Sequence, residues 1–342
     1  MKKIINKKPS AWKHLIAAIV VLLLCIIAGY IYHVYRWYST IDIVCQKRSE
    51  AVIRSVVAEQ FGKDPNNLTD DDFAKITELN LYKKELYDIE LLEKCYNLRK
   101  LSLREISVSE IDPPVLITVL AKFGLVKKQE KVFIDLTPLR NLVDLEVLRI
   151  NSVPVKFLES LSYISSLREL TLIYGTVSNI EPLKFLTNLQ TLSLNGVFIS
   201  DLGPLGNMTS LQNLCIDHTQ VRDLKPLQGL TGLQILSLNY IQVSDITPIG
   251  NLTNLRHLDI MGDIFIPDLE PIKNLNNLEY LCIADTRISD IEPVKNLKNL
   301  KKITLRDCKN INDEQIEELQ KALPELKITN AWVSFSQVEL SK

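Results

Sequence analysis

Apolar residues recur along most of this chain in a single phrase. A full copy reads Leu186-Thr-Asn-Leu189-Gln-Thr-Leu192-Ser-Leu194, followed by Ile199-Ser-Asp201-Leu-Gly-Pro204-Leu205. Its first position returns at Leu142, Ile164, Leu186, Met208, Leu230, Leu252, Leu275 and Leu297, in steps of 22 residues with one step of 23 after Leu252. Prolines keep the same period at Pro182, Pro204, Pro226, Pro248, Pro271 and Pro293. Within a unit the Leu-x-Leu pair, such as Leu192 with Leu194 or Leu236 with Leu238, has the alternation of a short strand. Thr191, Ser193 and Asn195 then face outward. So short a unit buries its apolar side only against its neighbours, and the pattern predicts a solenoid with its strands stacked into a parallel sheet. At about 4.8 Å between strands, roughly ten units span on the order of 45 Å.

The return half of each unit opens on Asp201, Asp223, Asp245, Asp268 or Asp290, three residues before its proline. An Asp there can accept from the first free N–H groups of a helical turn, and a proline in that turn has no donor to lose. Leu205, Leu227, Ile249, Ile272 and Val294 anchor the turn to the core. The unit has room for little more than one turn, which predicts 3₁₀ segments on the convex side.

This phrase resembles the leucine-rich repeat family, and within it the 22-residue bacterial branch typified by the internalins. Earlier units trace to Phe73, with Ile76, Leu79 and Leu81, and to Cys95, with Leu98, Leu101 and Leu103. The resemblance covers about residues 50 to 330. It implies an α/β solenoid, a right-handed superhelix with a parallel concave β-sheet and convex 3₁₀ turns. It also implies a non-enzymatic recognition scaffold for a protein partner, with no cofactor. One departure concerns the buried Asn that bonds neighbouring backbones in that family. Here the position holds Val153, Gly175, Val197, Thr219, Ile241, Asp263, Thr286 and Cys308. Thr and Cys can replace part of that bonding, whereas Val and Ile cannot.

Both ends of the array read as caps. Residues 50–72 form an expected N-terminal helical cap, with Ala51, Ile53, Val56, Val57 and Phe61 on its apolar face. Repeats follow over 73–311, with an irregular insertion at about 104–131. Leu142 follows Cys95 by 47 positions where two units take 44, which suggests a degenerate unit with a bulging loop. Residues 312–342 form the C-terminal cap, an Asn312-capped amphipathic helix followed by a last strand or two.

Ahead of the array, Leu15 to Ile31 is 17 residues without charge or proline, long enough to just cross a bilayer. The expected order is a cytoplasmic tail (1–14), a transmembrane signal anchor (15–35) and a juxtamembrane linker (36–49). Lys2, Lys3, Lys7, Lys8 and Lys13 precede the apolar run and only Arg36 follows closely, which places the N-terminus inside and the array outside. Trp12, and Tyr30, Tyr32, Tyr35, Trp37 and Tyr38, fit interfacial belts. A cleaved signal peptide is the competing reading, but no Ala-x-Ala pattern stands at Ala28-Gly29.

The formal charge of −1 conceals an asymmetry. Residues 1–48 hold eight Lys/Arg against one acidic residue, so the remainder, with 32 basic and 40 acidic side chains, carries about −8. An acidic array is poorly suited to nucleic acid. The six cysteines contain no C-x-x-C pair and do not form a disulfide framework. No phosphate-cradling loop, nucleophile elbow or zinc spacing occurs. The outward strand positions do gather chemistry: Asn213, Cys215 and Asp217, then Ser237 and Asn239, then His257, Asp259 and Met261, then Tyr280 and Cys282. Tyr240 and His218 flank them. Cys215, Asp217, His257 and Asp259 are metal-ligand types, but on flat neighbouring strands such groups stand about 5 to 10 Å apart. Asn213, Cys215, Asp217, Asn239, Tyr240, His257, Asp259, Met261 and Tyr280 therefore read as a solvated concave patch that contacts a protein partner. Lys100, Arg104, Lys302 and Arg306 make the two ends of that face basic. The leading reading is a single-pass envelope protein with an extracytoplasmic array. The alternative is a cytoplasm-facing regulatory subunit of an enzyme complex.

Overall fold

The computed structural model describes Gly29, Tyr32 and residues 44–106, 133–262 and 265–329. The strands are β1 (Glu78–Tyr82), β2 (Lys100–Arg104), β3 (Ile134–Asp135), β4 (Val147–Asn151), β5 (Val155–Lys156), β6 (Glu169–Ile173), β7 (Thr191–Ser193), β8 (Asn213–Cys215), β9 (Ile235–Ser237), β10 (His257–Asp259), β11 (Tyr280–Cys282), β12 (Lys302–Thr304) and β13 (Lys327–Thr329). Eleven of them form one parallel sheet in chain order, with β3 and β5 paired separately. Register follows the repeat: Leu192 pairs with Leu214, Leu214 with Leu236, Leu236 with Leu258, and Leu258 with Leu281. Every one of these leucines is buried in a single continuous apolar column running the length of the array.

The return halves are 3₁₀ turns, among them Glu181–Phe185, Lys225–Gly229, Thr247–Asn251 and Glu292–Asn296, each with proline in its first two positions. The capping acids act one residue further out than a usual N-cap. Asp201, Asp223, Asp245, Asp268 and Asp290 each accept from the backbone N–H two residues on, at 2.7–2.9 Å. That bond turns the chain from the sheet into the 3₁₀ segment and satisfies its first donor.

A side-chain ladder between backbones is present, but at another position. Asn97, Asn188, Asn254, Asn277 and Asn299, third residues of the Leu-x-x-Leu step, donate through Nδ2 to the carbonyls of Ala74, Ser165, Thr231, Thr253 and Asn276, at 2.7–2.9 Å. At the family's usual ladder position, Thr219 and Thr286 donate to the carbonyls of Ile216 and Ile283. Cys308 Sγ reaches the Ile283 carbonyl at 2.9 Å, while Val153, Val197 and Ile241 pack in the core.

At the edges one expectation changes, the linker, while the insertion and the membrane helix lie largely outside the described residues. The interruption adds no strand to the main sheet, because β2 pairs directly with β4, Leu101 opposite Leu148. On the convex side the turn Thr137–Asn141 restores the half-phrase as anticipated. Residues 107–132, which hold most of the insertion, lie outside the described residues. The linker expected over 36–49 gives way to helix by residue 44, and α1 runs over 44–61. Ser49 is fully buried there and accepts from the N–H of Tyr87 at 2.9 Å, tying the helix to the first return loop. The membrane helix expected over 15–35 falls, apart from Gly29 and Tyr32, outside the described residues. Among the described residues no helix is long and apolar enough to cross a membrane. At the far end α3 (Asp313–Ala322; α2 is Asp70–Ala74) carries the anticipated Asn312 cap, reciprocated by Gln315, and β13 supplies one last strand. Residues 330–338, the rest of the expected edge cover, lie outside the described residues.

The N-terminal cap depends on one carboxylate. Asp72 accepts from Lys63 Nζ at 2.7 and 2.8 Å and from the N–H and hydroxyl of Thr69 at 3.0 Å. The Lys63 hydrogen bond, followed by the Thr69 N–H, holds its carboxyl down to about 2. A depressed carboxyl pKa stabilises the fold above its unfolded value of 3.8 and ceases to do so as pH falls through the folded value. The melting temperature of the cap, followed by circular dichroism, should therefore fall between pH 4 and pH 2, and Asp72→Asn should flatten that fall.

Candidate functional site

Ten strands of the main sheet, all but the last, leave it through a residue whose φ is positive. These exits are Lys83, Glu105, Ser152, Tyr174, Gly196, His218, Tyr240, Gly262, Asp285 and Asp307, with φ between 50° and 65° except at Gly262 (101°). The backbone must reverse there to start the return half, and only Gly adopts that region freely. At two exits the glycine has a second purpose. A Cβ on Gly196 would stand 2.4 Å from the Tyr174 ring, and one on Gly262 would stand 2.6 Å from the Tyr240 ring. Each tyrosine thus lies across the glycine of the next unit. His218 stacks on Tyr240 with centroids 4.5 Å apart and planes 12° from parallel. The result is a rim of exposed rings along the exit edge of the concave sheet. Tyr174 was not anticipated from sequence, although its registry with Gly196 repeats that of Tyr240 with Gly262.

The strand positions behind this rim do not form the solvated patch expected of them. Asn213, Cys215, Asn239, His257, Asp259 and Met261 are all buried, and Asp217 is partly buried. Only Tyr240 and Tyr280 of the anticipated set remain open, 42% and 38% exposed. In-register stacking sets short polar side chains directly against one another, where they satisfy each other rather than water.

Asp217 is the hub of this packing. It accepts from Ser237 Oγ at 2.7 Å, the Asn239 N–H at 2.8 Å, Asn239 Nδ2 at 3.3 Å and the Cys215 thiol at 3.4 Å. Asn239 passes the chain on, its Oδ1 accepting from the Met261 N–H at 2.8 Å. Burial pushes the Asp217 carboxyl above the usual range despite these donors. Asn213 stands apart, donating to Thr191 Oγ1 at 3.1 Å. In the next unit His257 Nε2 meets Asp259 Oδ1 at 2.8 Å, and the His257 ring stacks on Tyr280 at 5.7 Å. His257 Nδ1 and Asp259 Oδ2 are buried with no partner.

The five described cysteines are buried. Burial raises Cys95 to about 12 and Cys282 to about 11, and pushes Cys215 up as well, so none is the thiolate a nucleophile requires. Among the described residues no group of three or more His, Cys, Asp and Glu is arranged to hold a metal ion. The basic ends are largely paired: Lys100 with Glu78 at 2.7 Å, and Arg306 with Asp285 at 3.3 Å. Arg104 lies over the Tyr82 ring at 5.4 Å.

Comparisons with known proteins agree with this geometry. The family profile described as Leucine Rich repeats (2 copies) matches residues 187–229, 231–274 and 276–326. An internalin of Listeria monocytogenes (inlF) is 29% identical, with 82% of this chain and 75% of that one covered and a TM-score of 0.67. The chain is an internalin-like leucine-rich repeat protein. Internalin C2 of the same organism is 27% identical over 74% of this chain and 92% of that one, with a TM-score of 0.53. The leucine-rich ectodomain of the Arabidopsis thaliana receptor kinase GASSHO1/SCHENGEN3, solved with CASPARIAN STRIP INTEGRITY FACTOR 2, shares the fold alone. It is 17% identical over 75% of this chain and 30% of that one, with a TM-score of 0.52. No curated protein matches the chain significantly in sequence.

The Asp217 network supplies a test of the repeat protein's concave side. Asp217→Ala leaves the Ser237 hydroxyl and the Asn239 N–H without their acceptor. It should cost about 1–3 kcal/mol, read as a lower urea midpoint at pH 7.

Proposed function

We propose that this protein is a non-enzymatic, membrane-anchored leucine-rich repeat receptor whose array stands outside the cytoplasm and captures a protein partner across its concave side. The observation that carries the binding surface is the pair of ring stacks, His218 on Tyr240 and His257 on Tyr280, at the centre of the array. Each presents an exposed tyrosine held by a histidine in the preceding unit. Rings already fixed by stacking lose little freedom on binding, and Tyr anchors commonly supply most of an interface's affinity. The buried polar network beneath them provides rigidity rather than contact. Internalin-like arrays are typically protein-binding, which supports the same reading.

Orientation rests on the lysine-flanked apolar run Leu15 to Ile31 and the positive-inside bias ahead of it. The cytoplasm-facing regulatory subunit remains the second reading, favoured only by the absence of that bias, which the sequence does not show.

A reporter active only outside the cytoplasm, fused after Lys342, should be active in protein that sediments with membranes. An inactive reporter on well-expressed protein would instead establish the cytoplasm-facing subunit. On the binding surface, Tyr240→Gly combined with Tyr280→Ser should weaken capture of the crosslinked partner by about a hundredfold, the scale of two lost anchors. The melting temperature should hold, and undiminished capture would exclude the central concave rim.

A further inference from the structure

Beyond Tyr240 the exit rim opens into a cavity of about 570 Å³ that the protein-capture reading does not use. Tyr240 forms one wall, with its ring extended over the bare backbone of Gly262. Facing it are Asp285 and Asp307, at successive exits and so about 4.8 Å apart along the sheet axis. Arg306 Nη2 hydrogen-bonds Asp285 Oδ2 at 3.3 Å, and its Nε, which makes no hydrogen bond, stands 3.4 Å from Asp307 Oδ2 as a neighbouring charge. Each keeps oxygens that can still accept.

Arg287 and Lys309 add donors, and Arg287 is steadied by lying over the Phe265 ring at 5.6 Å. Asn310 commits its Nδ2 to the Arg287 carbonyl at 2.9 Å, which leaves its Oδ1 as a further acceptor. These groups constrain the ligand. Two acids and two bases line the cavity, so neither a cation nor an anion gains from net charge there. An apolar ligand would desolvate four ionised groups without compensation. What fits is an uncharged molecule dense in donors and acceptors that also offers one flat apolar face.

A sugar ring has both properties. Its C–H face can lie on the tyrosine ring while vicinal hydroxyls meet carboxylate and guanidinium in paired hydrogen bonds. The volume falls within the range of about 300–1,000 Å³ for small-ligand pockets, enough for roughly one or two rings. We propose that the rim cavity between Tyr240 and Asp307 is a binding subsite for an uncharged saccharide. The ring would stack on Tyr240, with Asp285 and Asp307 accepting from its hydroxyls. This inference is independent of protein capture, although the two surfaces share Tyr240.

The test is to titrate the purified full chain with uncharged trisaccharides of glucose, mannose, galactose and N-acetylglucosamine, followed by saturation-transfer NMR and calorimetry. At least one should bind saturably, with transfer strongest to the C–H groups of one ring face. Tyr240→Gly, which places at this exit the residue the chain itself uses at Gly196 and Gly262, should weaken that binding at least about tenfold. The exposed-site variant Asp307→Ala should do the same. Tyr280→Ser should leave saccharide binding unchanged while impairing protein capture, and Asp307→Ala should show the converse, so the two readings fail separately. The subsite is excluded if no uncharged saccharide binds the folded chain, if binding ignores both rim substitutions, or if only acidic glycans or peptides bind.

Discussion

Everything in this structure depends on the in-register stacking of one parallel strand on the next. A 22-residue unit has too little apolar surface to fold by itself, so each Leu-x-Leu pair completes the core of the unit before it and begins the core of the unit after it. Register is fixed because a slip by one residue would turn the leucine column outward. Once it is fixed, every other device must recur at the same period: the capping Asp, the proline in the 3₁₀ turn, the Asn that bonds the previous carbonyl, and the reversed backbone at each strand exit. The single 23-residue step, between Leu252 and Leu275, is absorbed without breaking the ladder, since Leu258 still pairs with Leu281.

Stacking also decides what the concave face can be. Residues at equivalent positions are held about 4.8 Å apart, so short polar side chains there meet one another before they meet solvent. Asp217 with Cys215, Ser237 and Asn239 is the clearest case: four residues from two units close a network in which the carboxylate has four donors. Side chains too long to be covered in this way, Tyr240 and Tyr280, stay open and are steadied by the ring of the neighbouring unit. The array therefore separates a buried polar floor from exposed aromatic rings.

The ends obey the same constraint from the other direction. A solenoid exposes its column at both termini, and here α1 and α2 cover one end while α3 and β13 cover the other. Ser49 ties the first cap to the array through the Tyr87 N–H, Asp72 holds the cap itself together through Lys63 and Thr69, and Leu319 inserts the last helix into the column. The direct pairing of β2 with β4 shows that continuity of the ladder outweighs the spacing of the sequence between them.

By itself the sequence determined the period, the inward leucines, the convex 3₁₀ turns, the Asp caps and the Asn312-capped final helix. Each of these is a local preference repeated at a fixed interval, and periodicity is legible without a third dimension. It could also mark Tyr240 and Tyr280 as outward-facing, and both are exposed. Only the tertiary structure decided that His257, Asp259 and Asn239 are buried, that β2 pairs directly with β4, and that the interunit Asn ladder sits in the Leu-x-x-Leu step. It alone set Tyr240 across Gly262, facing Asp285 and Asp307. These outcomes depend on which side chains of different units touch, and contact between units is set by stacking distance and side-chain length together rather than by any pattern within one unit.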